Sequence, residues 1–86
     1  MKDLEKQYKA LANRRRLTIL KFLKNRTKSS VGDIAREIKL RLKSTSKHLR
    51  VLAAVDMVDR EQQSLHVFYF IPQDKSSLLK DVLNRL

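Results

Sequence analysis

The 86-residue chain has no cysteine, one glycine, one proline and few acids, with nine Asp and Glu against twenty Lys and Arg. Without cysteine there are no disulfides, no thiolate metal sites and no thiol redox sensing. One glycine and one proline leave no flexible linker and point to a mostly helical chain. Apolar runs such as "VFYFI" are a few residues long, far short of the roughly 20 that a membrane-spanning helix needs. The opening "MKDLEKQYK" lacks the apolar core of a secretory signal, so the expected location is cytoplasmic. There is no nucleophile–base pairing, no cluster of carboxylates and no phosphate-binding loop. Neither an enzymatic activity nor a cofactor is therefore expected.

What is present is an apolar content of 42%, enough for one small core. The chain reads as a single domain over residues 1–86, near the size where one core only just stabilises a fold and a second subunit often helps. The net charge of +11 is unevenly placed. Residues 1–8 are neutral and residues 51–86 carry −1, whereas residues 9–50 hold fourteen cations against Asp33 and Glu37, a net +12. A folded segment of that charge favours a polyanion over mere solvation.

Periodicity divides the chain into elements. Leu4, Tyr8 and Leu11 line one face of a first helix. Asn13 caps a second, "RRRLTILKFLKNR", whose apolar stripe is Leu17, Ile19, Leu20 and Leu23. "RTKSS" reads as a loop. Ser30, with Asp33 three residues on, opens a short third helix that buries Val31, Ile34, Ala35 and Ile38. After a tight turn, a fourth helix over about residues 42–55 points Thr45, Leu49, Leu52 and Val55 inward. Lys43, Ser44, Ser46, Lys47 and Arg50 fall outside. "MVDRE" and "LHVFYFI", separated by "QQS", form a hairpin, with Val67, Tyr69 and Ile71 on its core side. Phe68 and Phe70 share the other side, and core packing suits the aromatics better than base stacking. Asp74 is expected to cap a last helix with two apolar rows, Leu78, Val82, Leu86 and Leu79, Leu83. This is more apolar surface than one small core needs. The terminal helices, about 2–12 and 74–86, are therefore the expected dimer interface, through Leu4, Tyr8, Leu78, Leu79, Val82, Leu83 and Leu86.

The fold class is mainly α with a small β-hairpin: four helices, a hairpin and a fifth helix, the order of a winged helix-turn-helix. "ALANRRRLTILKFL", "STSKHLRVLAAVDMV" and "HVFYF" resemble, respectively, the opening, the recognition helix and the second wing strand of the ArsR family of repressors. The resemblance covers about residues 10–70. It implies a homodimer on double-stranded DNA, with its fourth helices in successive major grooves and the wings alongside. Position by position, it assigns DNA contact to Lys43, Ser44, Ser46, Lys47, His48 and Arg50.

Departures from the family pattern narrow that picture. Where many members place a cysteine motif, this chain reads "SSVGDIA", and its last helix has Asp74 and Asp81 but no histidine. No metal sensing is expected. Asp56 stands where the family often has glycine, at a position expected to need a left-handed backbone, which Asp tolerates. Arg41 stands where a capping Ser or Thr is common; it cannot cap, and is expected to contact a phosphate unless the helix starts elsewhere. Arg14, Arg15, Lys28, Arg41 and Lys47 are the expected phosphate contacts, whereas Ser44, Ser46, Arg50 and Lys43 are suited to base edges. His48 is open between DNA contact and a half-buried histidine holding a backbone group. His66 reads as an exposed strand residue, and the wing tip "EQQS", which carries little charge, as a weak contributor. The function expected is a sequence-specific transcriptional regulator, a homodimeric repressor. The alternatives are a winged-helix protein–protein interaction module or a non-specific nucleoid-type DNA binder.

Overall fold

The structure, a computed structural model, describes residues 2–86. The elements run α1 (Lys2–Leu11), α2 (Arg14–Leu23), β1 (Ser29–Ser30), α3 (Val31–Ile38), α4 (Leu42–Ala54), β2 (Asp59–Gln63), β3 (His66–Phe70) and α5 (Ser77–Arg85). Three helix starts, those of α2, α3 and α5, are set by short polar side chains. Asn13 Oδ1 accepts the Arg16 amide at 3.1 Å, and Ser30 Oγ accepts the Asp33 amide at 3.1 Å. Both caps agree with the sequence. At α5 the cap is Ser76, whose Oγ accepts the Leu79 amide at 3.1 Å, and not Asp74. A capping oxygen must lie two or three residues before the amide it accepts. Ser76 meets that condition for a helix starting at Ser77; Asp74 does not.

Two helix ends turn on residues with left-handed backbone. Lys39 (φ 56°) closes α3, its amide donating to Arg36 O at 3.3 Å and the Leu40 amide donating to Ala35 O at 3.0 Å. Asp56 (φ 60°) closes α4 in the same way, through Asp56 N–H to Ala53 O at 3.1 Å and Met57 N–H to Leu52 O at 3.0 Å. Both are Schellman arrangements, in which the next apolar residue folds back on the helix. Leu40 is half-buried and Met57 is buried, as that geometry requires. The left-handed backbone expected at Asp56 is present.

The sheet has three strands, in the order β1-β3-β2, all antiparallel. The sequence reading had only a hairpin. Ser29 and Ser30, read there as loop, pair with Tyr69 and Phe68 and make β3 the central strand. Two residues are too few to show an alternation, so only the partner strand defines β1. The hairpin turn also moves. Gln62 and Gln63 belong to β2, and the connection is Ser64 and Leu65, with Ser64 at φ 57°. A positive φ at the first of two loop residues suits the twist of the flanking strands.

The core gathers Ile19, Leu20 and Leu23 of α2, Ile34 and Ile38 of α3, Leu49 and Leu52 of α4, Tyr69 of β3, and Leu79 and Leu83 of α5. Leu79 and Leu83 are thus buried within their own chain, which corrects their assignment to a dimer interface. The two rows of α5 divide: Leu79 and Leu83 enter the core, while Leu78, Val82 and Leu86 are half-buried beside it. Asp56→Gly should raise stability by at most about 1 kcal/mol in chemical denaturation. Relief of roughly 1–2 kcal/mol of left-handed strain is partly offset by the greater freedom of glycine in the unfolded chain. A lowered denaturation midpoint would contradict this reading of the turn.

Candidate nucleic-acid interface

α3 and α4, joined through Lys39–Arg41, form a helix-turn-helix. In α4, Thr45, Leu49 and Leu52 have no accessible surface. At 100° per residue, that buried row forces Lys43, Lys47 and Arg50 to the opposite side, and all three are exposed. Ser44 and His48 lie on one flank and Ser46 on the other, each half-buried. The fourth helix thus brings its six sequence-assigned residues onto one outer surface and its edges. Among the described residues there are three ion pairs, Lys28–Glu61, Arg36–Asp33 and Arg85–Asp81, and none takes a cation from α4.

Arg41 occupies the N-cap position with extended backbone (φ −63°, ψ 148°) and makes no side-chain capping bond. α4 therefore starts where the sequence placed it. The Arg41 carbonyl accepts both the amide and the hydroxyl of Thr45, each at 2.9 Å, which satisfies the one buried hydroxyl beneath the cationic ridge. The Arg41 guanidinium has no acceptor to offer the first-turn amides, so α4 starts without a side-chain cap, with Lys43 in its first turn.

The three consecutive arginines of α2 have different roles. Arg14 is exposed at the first position. Arg15 Nη1 donates to Ile38 O at 3.2 Å, at the C-terminal end of α3. Arg16 reaches back to the C-terminal end of α1, donating from Nε to Ala10 O at 2.6 Å and from Nη2 to Lys9 O at 3.2 Å. A cation suits both places, because the last carbonyls of a helix are its negative end. Arg15, expected at a phosphate, is thus also a brace between α2 and α3. Arg16 was not among the sequence candidates. Nothing in "RRR" separates its members; the only cue was that the residue three after the Asn13 cap starts beside the end of the preceding helix.

Arg16 Nη1 also lies 3.2 Å from His48 Nδ1. A guanidinium can only donate, so Nδ1 accepts and the imidazole proton sits on Nε2. His48 is half-buried, as one sequence reading had it, but it holds an arginine and not a backbone group. Burial, then the positive charges of Arg16, Lys47 and Arg15, lower its pKa below the ordinary 6.5. Lys28 is placed apart from α4: its Nζ lies 3.1 Å from Glu61 Oε2 and 5.2 Å from the centre of the Phe68 ring, at the sheet. It was expected at a phosphate, and the structure gives it a partner in the wing. His66 is exposed, as expected, while Tyr69 is buried and Phe68 and Phe70 are half-buried against the protein. Among the described residues, no group of three or more His, Cys, Asp or Glu could hold a metal ion, and no helix is long and apolar enough to cross a membrane.

A helix-turn-helix backed by a three-stranded wing defines the chain as a winged helix-turn-helix protein. The sequence profile described as "Bacterial regulatory protein, arsR family" matches residues 13–60. No curated protein sequence matches the chain. Among solved structures, reduced HlyU from Vibrio cholerae is 30% identical with a TM-score of 0.80, over 98% of this chain and 84% of that one. The homodimeric winged helix-turn-helix DNA-binding domain of Mb0332 from Mycobacterium bovis is 25% identical with a TM-score of 0.82, over 98% of this chain and 74% of that one. NolR from Sinorhizobium fredii is 25% identical with a TM-score of 0.81, over 98% of this chain and 80% of that one. The chain belongs to the ArsR family of transcriptional regulators.

The burial of His48, and then the cations Arg16, Lys47 and Arg15 around it, make stability depend on pH. Because the folded state holds His48 below 6.5, the unfolded chain takes up that proton first as the solution is acidified. The contribution of His48 is therefore fully present above 6.5, is lost progressively as pH falls from there toward the lower folded value, and stays constant below it. His48→Gln keeps an acceptor for Arg16 but cannot titrate, so it should flatten this part of the curve of unfolding free energy against pH. An unchanged curve would exclude His48 as its source.

Proposed function

We propose that the chain is a sequence-specific regulator that binds double-stranded DNA as a homodimer and represses by occupying a promoter, with α4 in the major groove. The observation that carries this reading is the exposed row Lys43, Lys47 and Arg50, backed by three residues with no accessible surface. Lys47, Arg14 and Arg41 are suited to phosphates. Ser44, Ser46, Lys43 and Arg50 are suited to base edges, where Arg50 and Lys43 match the O6 and N7 acceptors of guanine. The dimer is built from Leu4 and Tyr8 of α1, which are 40% and 56% exposed, with Leu78, Val82 and Leu86 of α5. Support comes from the homodimeric state of the Mycobacterium bovis domain. Twofold symmetry then sets half-sites about one helical turn apart. With no cysteine in the chain, no thiolate is available to hold a metal.

A binding site selected from random duplexes tests this reading by fluorescence titration. Arg50→Ala should cost about 1–3 kcal/mol and relax preference at one base position, whereas Lys47→Ala should weaken all sequences equally and flatten the salt dependence. With about 6–10 phosphate contacts per dimer, affinity should fall by roughly 10³–10⁵ between 50 and 200 mM salt. Equal losses on every sequence for Arg50→Ala would make it a backbone clamp. Tyr8→Glu should yield monomers in sedimentation velocity at concentrations where the parent chain is dimeric; a dimer that persists would place the interface elsewhere.

A further inference from the structure

The wing ends in a leucine that its own chain leaves in solvent. Leu65 is 93% exposed, at the second position of the two-residue connection closed by the Gln63–His66 pair. Around it the outer half of the wing offers no charged side chain: Gln62, Gln63 and Ser64 precede it and His66 follows. The charged wing residues, Asp59, Arg60 and Glu61, lie toward the base, and Glu61 is already paired with Lys28. Such a tip gains little from phosphates, because that attraction needs cations.

The tip is nevertheless placed for DNA. Leu65, His66 and Val67 share a surface hollow with the start of α3, where Asp33 and Arg36 are paired with each other, and with Leu42, the first residue of α4. Leu42 is itself 57% exposed, so the apolar tip continues the surface of the reading helix. Strands of five residues, at roughly 3.3 Å each, extend for about 17 Å, more than the width of about 12 Å of the major groove that α4 would occupy. On that length, a tip carried at the edge of α4 can meet the minor groove that adjoins the major groove.

Resting on the DNA-binding reading above, we infer that Leu65 is a minor-groove wedge. It enters at a base step, partly unstacks it and kinks the duplex, as apolar side chains do in minor-groove architectural proteins. Gln63 and His66 flank it as hydrogen-bonding shoulders. Glutamine suits the acceptors that A·T pairs present on the minor-groove floor. Flexible pyrimidine–purine steps unstack at least cost, so the wing adds a preference for TA or CA at the position it meets, without reading a base edge in the major groove.

The test uses the full chain and a duplex that it selects from a random library, labelled at both ends so that energy transfer reports bending. The parent complex should bend the duplex by about 20–90°. Leu65→Ala, at a site too exposed to disturb folding, should remove most of the bend and weaken binding about tenfold, with the salt slope unchanged. Leu65→Lys should also straighten the duplex while steepening the salt slope. Lys47→Ala should do the reverse of Leu65→Ala, flattening the slope and keeping the bend. A parent complex with straight DNA, or a Leu65→Ala complex bent like the parent, overturns the wedge and leaves the DNA-binding reading in place. A Leu65→Ala chain that changes its sedimentation while the bend persists would make the tip a contact between copies and likewise overturn it. A parent chain that selects no duplex overturns both.

Discussion

The burial of Thr45, Leu49 and Leu52 beneath α4 is the constraint from which the rest of the surface follows. A helix has no preferred rotation about its own axis until one stripe is removed from water. Once Leu49 and Leu52 join the core of α2, α3 and α5, with Thr45 buried beside them, the rotation is set, and with it the direction of every other side chain on α4. Lysine and arginine carry long flexible stems, so their heads find a groove at low entropic cost only if the backbone already presents them together. Removing one such leucine costs about 2–5 kcal/mol, a large share of the stability expected for a domain of this size.

A chain with net charge +11 must also fold against its own repulsion. Part of the answer lies in where α2 sends two of its arginines. Arg15 and Arg16 reach the carbonyl ends of α3 and α1, the places where a helix is most negative. Their charge therefore holds helices together while Arg14, Lys43, Lys47 and Arg50 stay exposed. His48 fits the same scheme. Neutral, it accepts from Arg16 and ties α4 to α2; charged, it would face three cations.

The ends of the reading helix are fixed by backbone rather than by glycine. Lys39 and Asp56, both left-handed, reverse the chain before and after α4. The first sets the turn between the two helices of the helix-turn-helix, and the second directs the chain into β2. Glycine would take either place with less strain, yet the only glycine, Gly32, lies inside α3. The apolar residues that follow, Leu40 and Met57, offset that strain by packing back onto the helices they end.

Much of this was legible in the residues themselves. The buried rows of α2, α3 and α4 followed from their spacing, the caps at Asn13 and Ser30 from their chemistry, and the polycationic middle from simple counting, because each is a local property of the chain. The tertiary structure alone decided what depends on distant partners. It separated three arginines that are indistinguishable in sequence: Arg14 stays exposed, while Arg15 and Arg16 face different helix ends. It drew Lys28 to Glu61 across thirty-three positions, made Ser29 and Ser30 a strand by pairing them with β3, and sent Leu79 and Leu83 inward while leaving Leu78 and Val82 at the edge. Local patterns state which side chains need burial or a partner; only the packing of the elements determines which ones find it.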